Sequence, residues 1–394
     1  MSPLRSSYDV VIVGGAMIGA SVAWWLTRTS DASVLVIERD PTYTFASTSH
    51  TNSCIRQQFS NPLNVQISQF GVRFIKDFAG FMGARDAPKL TLQSFGYLYL
   101  AADPAFASSL KEAQALQAGL GAGTRHMMAD EIAADYPFYN LDDIIAGNHN
   151  TRDEGYFDGG TMFDWFRKRA RAQGAEFAGA EVAGIGRAGD RVTDVTLSDG
   201  TTVTCGTVVN ASGPRASITA RMAGLDIPVE PRKRYTFIFD AADPLGRDLP
   251  LTIDPSGVHV RSDGRYYMAG CKPDDDQPVA VDDFTEDHSL WEDKVWPAVA
   301  NRVPAFERAK LIQSWVGHYA FNTLDQNAIV GPHDEVPNFI FVNGFSGHGL
   351  QQAPAMGRAV AEWITTGTYQ TLDMRPLGFD RIRSNCRLTE QAII

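Results

Sequence analysis

Tyr8-Asp9-Val10-Val11-Ile12-Val13-Gly14-Gly15-Ala16-Met17-Ile18-Gly19, followed by an acidic residue at Glu38, is the stretch on which the fold turns. The β-branched run from Tyr8 to Val13 predicts a strand buried on both faces, as parallel strands are. Gly14 to Gly19 predicts a turn, Ala20 to Thr29 a helix, and Val34 to Ile37 a second strand. A right-handed crossover sets those two strands side by side. The turn follows the dinucleotide-binding pattern G-x-G-x-x-G, with an acidic residue about 20 positions on. Glu38 lies 24 positions after Gly14. The glycines let a pyrophosphate approach the free N–H groups and positive dipole end of the helix. Glu38 is expected to accept hydrogen bonds from ribose hydroxyls. Ala16 stands where the pattern has its second glycine, a departure of one methyl group.

Two later segments repeat the strand-then-glycine pattern: Val208-Val209-Asn210-Ala211-Ser212-Gly213-Pro214 and Phe339-Ile340-Phe341-Val342-Asn343-Gly344, the second followed by a helix from about Ala355 to Thr365. All three predict strands of one sheet, so the nucleotide domain is assembled from separated pieces. Between them, Val229–Phe239 and Gly257–Gly270 alternate β-branched or aromatic residues with polar ones, as half-exposed antiparallel strands do. The predicted fold is therefore α/β, a doubly wound nucleotide domain with an inserted α+β domain on an antiparallel sheet. Residues 1–85, 150–225 and 325–394 are assigned to the first domain, and 86–149 with 226–324 to the second. The acidic, turn-rich stretch Asp274–Asp287 is read as a surface loop.

Composition narrows the function classes. With 394 residues the chain suits two packed domains. Thirty-five basic residues against 46 acidic give a net charge of −11, which disfavours nucleic acid and anionic membranes as partners. The four cysteines form no C-x-x-C pair and read as buried or inert thiols of a reducing compartment. No apolar run approaches the roughly 18 residues of a membrane helix. The opening residues Met1 to Ser7 lead into a strand without a signal-peptide core, so a cytoplasmic location is expected. P-loop, H-E-x-x-H and G-x-S-x-G motifs are absent from the sequence.

Three further segments decide which dinucleotide. These are Glu38-Arg39-Asp40, the polar run Ser47-Thr48-Ser49-His50-Thr51-Asn52-Ser53-Cys54-Ile55-Arg56-Gln57-Gln58-Phe59, and Asn343-Gly344-Phe345-Ser346-Gly347-His348-Gly349-Leu350-Gln351-Gln352-Ala353-Pro354-Ala355-Met356-Gly357. In order along the chain they resemble the D-amino-acid-oxidase-type superfamily, which includes sarcosine oxidase, glycine oxidase and the dimethylglycine dehydrogenases. Arg56-Gln57-Gln58-Phe59-Ser60 and the run Asn343–Pro354 are most similar to the mitochondrial FAD-dependent oxidoreductase domain proteins. The resemblance implies FAD as cofactor and a Rossmann-like FAD-binding domain. It places Gly14, Ala16, Ile18, Gly19, Glu38 and Arg39 at the dinucleotide, and Ser47 and Thr48 beside the pyrophosphate. Val182 matches the residue whose backbone meets the adenine. Asn210-Ala211-Ser212-Gly213 matches a turn beside the FAD, which brings in Ala211 and Gly213. Gly347, His348, Gly349, Leu350 and Gln351 match the segment passing the pyrimidine edge of the flavin.

For substrate, Arg56 matches the arginine of the sarcosine oxidases' I-R-H-x-Y segment, which pairs with a carboxylate over the flavin. A guanidinium fork suits that bidentate task; the alternative is an internal structural pair. Gln351 stands where those enzymes carry a lysine, which puts a sarcosine-sized substrate in doubt. Gln57, Gln58 and Gln351 suggest a hydrogen-bonding pocket, while Arg234 and Arg261, on expected strands of the second domain, are candidates to supply the missing charge, although an outward-facing salt-bridge role suits each of them better. His50 matches the histidine that dimethylglycine-type dehydrogenases link covalently to the flavin, although related proteins share the segment without the link. His348 either polarises the flavin edge or holds its turn. The implied catalytic set is Arg56, Gln57, His348 and Gln351. The implied reaction is oxidation of the C–N bond of a small amine or amino acid by hydride transfer to flavin N5. An imine forms and hydrolyses, and the electrons pass to oxygen or another acceptor. The alternatives are a 2-hydroxy-acid dehydrogenase, a flavoprotein that assists assembly of a respiratory complex, and, more weakly, an NAD enzyme.

Overall fold

The computed structural model describes residues 3–391; Met1 and Ser2 of the opening stretch read above lie outside them. The opening βαβ unit forms as the pattern requires. Strand Ser7–Val13 pairs in parallel with Val34–Glu38, and the helix between them starts earlier than expected, spanning Met17–Thr29. Parallel pairing continues outward on both sides. Glu176–Gly179 adds beyond Val34–Glu38, and Thr202–Asn210 then Phe339–Asn343 add on the other flank. Ile329–Pro332 closes that edge antiparallel. The hairpin Val182–Ala188 and Arg191–Leu197 pairs with the early part of Thr202–Asn210. Three strand ends therefore reach one edge together: Val13 pairs with Asn210, and Asn210 with Phe341.

Two glycines make the first turn possible. Gly14 has φ +99°, and a Cβ there would sit 2.5 Å from the Ala211 carbonyl oxygen. At Gly19 a Cβ would lie 1.9 Å from the carbonyl oxygen of Gly14, so helix and turn pack with no room for a side chain. Helix Gly349–Thr366 is longer than the predicted Ala355–Thr365 and crosses Met17–Thr29 as closely. Ser21 Oγ donates to the Ala353 carbonyl (2.7 Å), Trp25 Nε1 donates to the Pro354 carbonyl (3.0 Å), and a Cβ on Gly357 would meet Ser21 Oγ at 2.2 Å. The crossing is buried with Trp24, Phe74 and Phe166, all fully inaccessible. It fixes the N-termini of the two helices relative to one another.

The second sheet is eight-stranded, ordered Ala309–Asn322, Val229–Ala241, Tyr266–Cys271, His259–Asp263, Leu251–Ile253, Tyr97–Ala101, Ala146–Asn150, Arg125–Met128. It is antiparallel except for Leu251–Ile253 against Tyr97–Ala101. One face packs Phe237, Phe239 and Val260 against Trp291, Val295 and Val299. The opposite face turns Arg234, His259 and Tyr319 toward a cavity.

One expectation needs correcting here. Arg261 does not face outward: it is buried, donating to the Asn52 and Ser262 carbonyls and to Asp263. All four cysteines are free thiols; Cys205 and Cys271 are buried, Cys54 is partly buried and Cys386 is exposed.

Gly19→Ala should cost about 1–3 kcal/mol of unfolding free energy, because its methyl must displace backbone. Gly119→Ala, where a Cβ meets nothing within 4 Å at a helix end, should be neutral or mildly stabilising by about 0.5 kcal/mol. Urea midpoints of the two variants check this.

Candidate active site

The aligned strand ends, both helix N-termini and the concave face of the second sheet enclose a cavity of about 900 Å³, within the range that holds a large ligand. Neither helix is capped by the side chain of its own N-cap residue or carries an acid in its first turn, which leaves both ends favourable to an anion. At the first, Met17 N–H donates to Thr48 Oγ1 (3.3 Å), which ties the segment Ser47–His50 to the turn. Ser47 Oγ donates to the His318 carbonyl (2.6 Å) and ties the same segment to the second sheet. Glu38 Oε2 accepts from Gly15 N–H (2.8 Å) and Oε1 from Asp40 N–H (2.9 Å). Desolvation raises its pKa against the pull of those two bonds. Each carboxylate oxygen retains a second lone pair, so the side chain both shapes the turn and can accept from a sugar hydroxyl.

Asn210 and Asn343, both fully buried, set the other two strand ends. Asn210 Oδ1 accepts from Ser212 N–H (3.2 Å) and Asn343 Nδ2 (3.3 Å), and Asn210 Nδ2 donates to the Ala216 carbonyl (2.9 Å). Gly347, at φ +99°, lies against the Tyr319 ring, where a Cβ would come within 2.6 Å. That contact seats the start of helix Gly349–Thr366 on the second sheet.

Arg56 is 1 % exposed. Its Nη2 donates to His348 Nε2 (2.8 Å), its Nη1 donates to the Gln58 carbonyl, and its backbone N–H donates to Gln351 Oε1 (2.9 Å). The guanidinium lies 4.1 Å from the Phe59 ring centre, a cation–π contact. A guanidinium has no acceptor atom, so His348 receives its proton at Nε2 and is the neutral Nδ1–H tautomer. Burial, then the adjacent Arg56 charge, holds its pKa well below the ordinary imidazole value. His259 is in the same state: it faces Asn52 Nδ2 through Nε2 (2.8 Å), and burial lowers its pKa to about 4. His50 donates from Nδ1 to the Ala46 carbonyl (3.1 Å) and lies against Gly317, where a Cβ would meet the His50 Cβ at 2.6 Å.

The structure brings most of the sequence-predicted residues to this one cavity. Gly14, Ala16, Ile18, Glu38, Arg39, Ser47, Thr48, His50, Arg56, Val182, Ala211, Gly213 and Gly347 to Gln351 line it. Gly19 lies beneath the turn instead of on the wall. Gln57 and Gln58 turn away, their amides reaching the Arg152 carbonyl (3.4 Å) and Glu154 (2.8 Å), because an antiparallel pairing of Cys54–Ile55 with Gly155–Tyr156 aims them inward. Arg234 does make its salt bridge, to Asp276 (2.8 Å), but on the cavity wall over the Tyr319 ring. Asp274–Asp287 is correspondingly more than a surface loop. Asp276, Asp282 and Phe284 border the cavity, Asp282 meets Arg39 and Arg215 (3.3 Å each), and Phe284 stacks on His318 (4.2 Å). Tyr97, His259 and Tyr319 were missed. Their strands alternate visibly in sequence, but which face meets the cavity depends on sheet order.

Comparison with known proteins supplies the family. Residues 9–363 match the family described as FAD dependent oxidoreductase, DAO. FAD-dependent oxidoreductase domain-containing protein 1 of Xenopus laevis is 37% identical, over 98% of this chain and 85% of that protein. Mitochondrial sarcosine dehydrogenase of Homo sapiens is 24% identical, over 98% of this chain and 42% of that longer protein. Among solved structures, L-proline dehydrogenase from P. horikoshii superposes with a TM-score of 0.85 at 26% identity, covering 97% of this chain and 99% of the other. The chain belongs to the DAO family of FAD-dependent oxidoreductases, and its cofactor is FAD. Among the described residues no helix is long and apolar enough to cross a membrane, and no cluster of potential metal ligands occurs.

Because His259 is neutral in the fold with a pKa lowered from 6.5 to about 4, it contributes stability that is full above pH 6.5 and is lost as pH falls toward 4. His259→Gln should therefore lose less stability than the wild type across that window, by up to about 3 kcal/mol. Urea unfolding at a series of pH values measures the difference.

Proposed function

We propose that this protein oxidises the C–N bond of a small amino acid or N-substituted amino acid, an N-methyl amino acid being the simplest case. In this reading the first sheet, with residues 1–85, 150–225 and 325–394, holds FAD, and the second, with 86–149 and 226–324, holds the substrate. The observation that carries it is Arg56: a guanidinium on the cavity wall, oriented by His348 and the Gln58 carbonyl, at the N-terminus of helix Gly349–Thr366. The cradle fits the cofactor, since two uncapped helix ends, the Glu38 carboxylate and the glycine turns converge on one cavity. FAD, when bound, supplies the hydride acceptor.

The residues of the chain then have separable tasks. Arg56 pairs with the substrate carboxylate and orients it. His348 stays neutral beside Arg56 and orients the guanidinium through Nε2. The Arg56 guanidinium disfavours an ammonium nearby, which keeps the amine in the unprotonated form that can release hydride. Gln351 holds the Arg56 backbone through its Oε1. The Met17 and Leu350 helix ends stabilise, respectively, a pyrophosphate and the negative charge gained on flavin reduction. Sarcosine and L-proline, named for two of the relatives, each place a secondary amine beside a carboxylate, and that chemistry matches this site.

A 2-hydroxy acid would need a general base to take its hydroxyl proton. The basic nitrogen of His348 faces Arg56 Nη2, and that of His259 faces Asn52 Nδ2, so neither imidazole offers a free lone pair. At these two imidazoles that occupancy favours the amine; His50 and His318 also line the cavity, each donating one ring N–H to a carbonyl.

Anaerobic mixing of the yellow protein with N-methyl, D- and N-substituted amino acids should bleach the flavin band with some of them. Protein that dithionite reduces but none of these bleaches would overturn the proposal in favour of hydroxy acids or an assembly role. Arg56→Gln should raise KM for carboxylate-bearing amines about ten- to a hundredfold, the scale of a lost charge-assisted hydrogen bond. Steady-state kinetics measures that change.

A further inference from the structure

Residues that line the cavity and are also open to solvent mark its mouth, and four of them carry charge. Arg39, Glu181, Arg215 and Asp282, with side chains 24% to 66% exposed, form a closed ring of alternating sign. Arg39 lies 3.9 Å from Glu181 and 3.3 Å from Asp282, and Arg215 lies 3.5 Å from Glu181 and 3.3 Å from Asp282. Three of the four belong to segments of the first sheet: Arg39 directly follows Glu38, Glu181 precedes strand Val182–Ala188, and Arg215 follows the strand that ends at Asn210. Asp282 comes instead from the stretch Asp274–Asp287, between strands Tyr266–Cys271 and Ala309–Asn322 of the second sheet. The ring therefore joins the two walls of the cavity at its opening.

The neighbours of Asp282 fasten that stretch to the second sheet. Lys233 Nζ donates to Asp283 Oδ1 (2.9 Å) and to the Thr285 carbonyl (2.8 Å), and His318 Nε2 donates to the Asp283 carbonyl (2.8 Å). The stretch reaches the other wall at Asp282 and at Phe284, whose ring lies 4.8 Å from that of Phe45 and 6.2 Å from that of His50. We infer that residues 281–284 are a strap across the mouth, and that Asp282 is the residue that keeps it closed over bound FAD. The inference rests on the reading that FAD occupies this cavity. A single exposed ion pair contributes little, but here one carboxylate serves two guanidiniums that Glu181 holds from the other side. The latch is electrostatic and is screened by salt, whereas the Phe45–Phe284 contact is not. Breaking the latch opens the strap more often, so the cofactor both leaves and enters faster. A mere change of local charge gives the opposite sign for release: deleting a carboxylate at the mouth strengthens the pull on the FAD phosphates and slows escape.

Release of FAD from the holoprotein, read from the fluorescence of free flavin after dilution, tests this at about 20 mM and about 500 mM salt. At low salt Asp282→Asn should release FAD about three- to tenfold faster than wild type, and its apoprotein should also take FAD up faster. High salt should bring wild-type release toward that of the variant and change the variant less. Asp282→Glu, which keeps the charge, should release FAD at close to the wild-type rate. Hydrogen exchange of the amides of 281–285 in the holoprotein should quicken in Asp282→Asn but not in Asp282→Glu. Release from Asp282→Asn as slow as from wild type, or slower, overturns the inference, whatever else holds the flavin. Strap exchange unchanged by Asp282→Asn overturns it too. Glu38→Ala separates the two readings. Faster release from Glu38→Ala alone refutes only the strap, whereas unchanged release from both variants also removes FAD from this cavity.

Discussion

The contact on which the site depends is the one between the Gly14 carbonyl and the bare Cα of Gly19. A Cβ at Gly19 would lie 1.9 Å from that oxygen, so helix Met17–Thr29 can begin directly under the strand end only because both residues lack side chains. That proximity aims the helix N-terminus into the cavity. The same helix then carries Ser21, against which Gly357 closes, so the N-terminus of the second helix, which starts at Gly349, is set by the first. The two anion-favouring helix ends are therefore one rigid unit. Packing between backbones, rather than hydrogen bonds between side chains, fixes their separation.

Most of this was legible in the sequence because it is local. Strand, turn and helix over 8–29 follow from periodicity and glycine spacing, and the asparagines of Asn210-Ala211-Ser212-Gly213 and Asn343-Gly344 mark strand ends that must bond their own turns. The cavity-lining role of residues 347–351 follows from a glycine turn entering a helix. Legibility ended where orientation depends on partners distant in sequence. Gln57 and Gln58 point inward because Gly155–Tyr156 pairs with Cys54–Ile55. Arg261 is buried because its strand lies in the middle of a sheet whose order no local pattern reveals. The acidic loop 274–287 has the composition of a solvated surface, yet its carboxylates have basic partners on both sheets: Arg39 and Arg215 on one side, Lys233 and Arg234 on the other.

The chain as a whole carries −11, whereas its cavity is lined by Arg39, Arg56, Arg215, Arg232 and Arg234. Acidic partners offset most of these: Asp282 faces Arg39 and Arg215, and Asp276 faces Arg232 and Arg234. The contacts of Arg56 include the Gln58 carbonyl, the neutral His348 imidazole and the face of the Phe59 ring, which orient the guanidinium. Arginine tolerates this because it cannot shed its proton, whereas a lysine in so dry a place would tend to neutralise. An arginine is thus the residue that can keep a permanent charge at this depth.

A permanently charged guanidinium next to an imidazole has a consequence for which chemistry the pocket can run. The ring cannot become protonated without placing two cations in contact, so His348 is excluded as a general acid. Its basic nitrogen is engaged by the guanidinium, so it is equally poor as a general base. Reactions that require a proton to be removed from substrate in step with C–H cleavage therefore find no partner in this pair. An amine that arrives unprotonated requires none, since its own lone pair supplies the electrons that expel the hydride. In the proposed reading the Arg56–His348 pair selects by what it withholds: it orients a carboxylate and itself supplies no proton transfer, a combination that suits amine oxidation and gives alcohol oxidation no base from this pair.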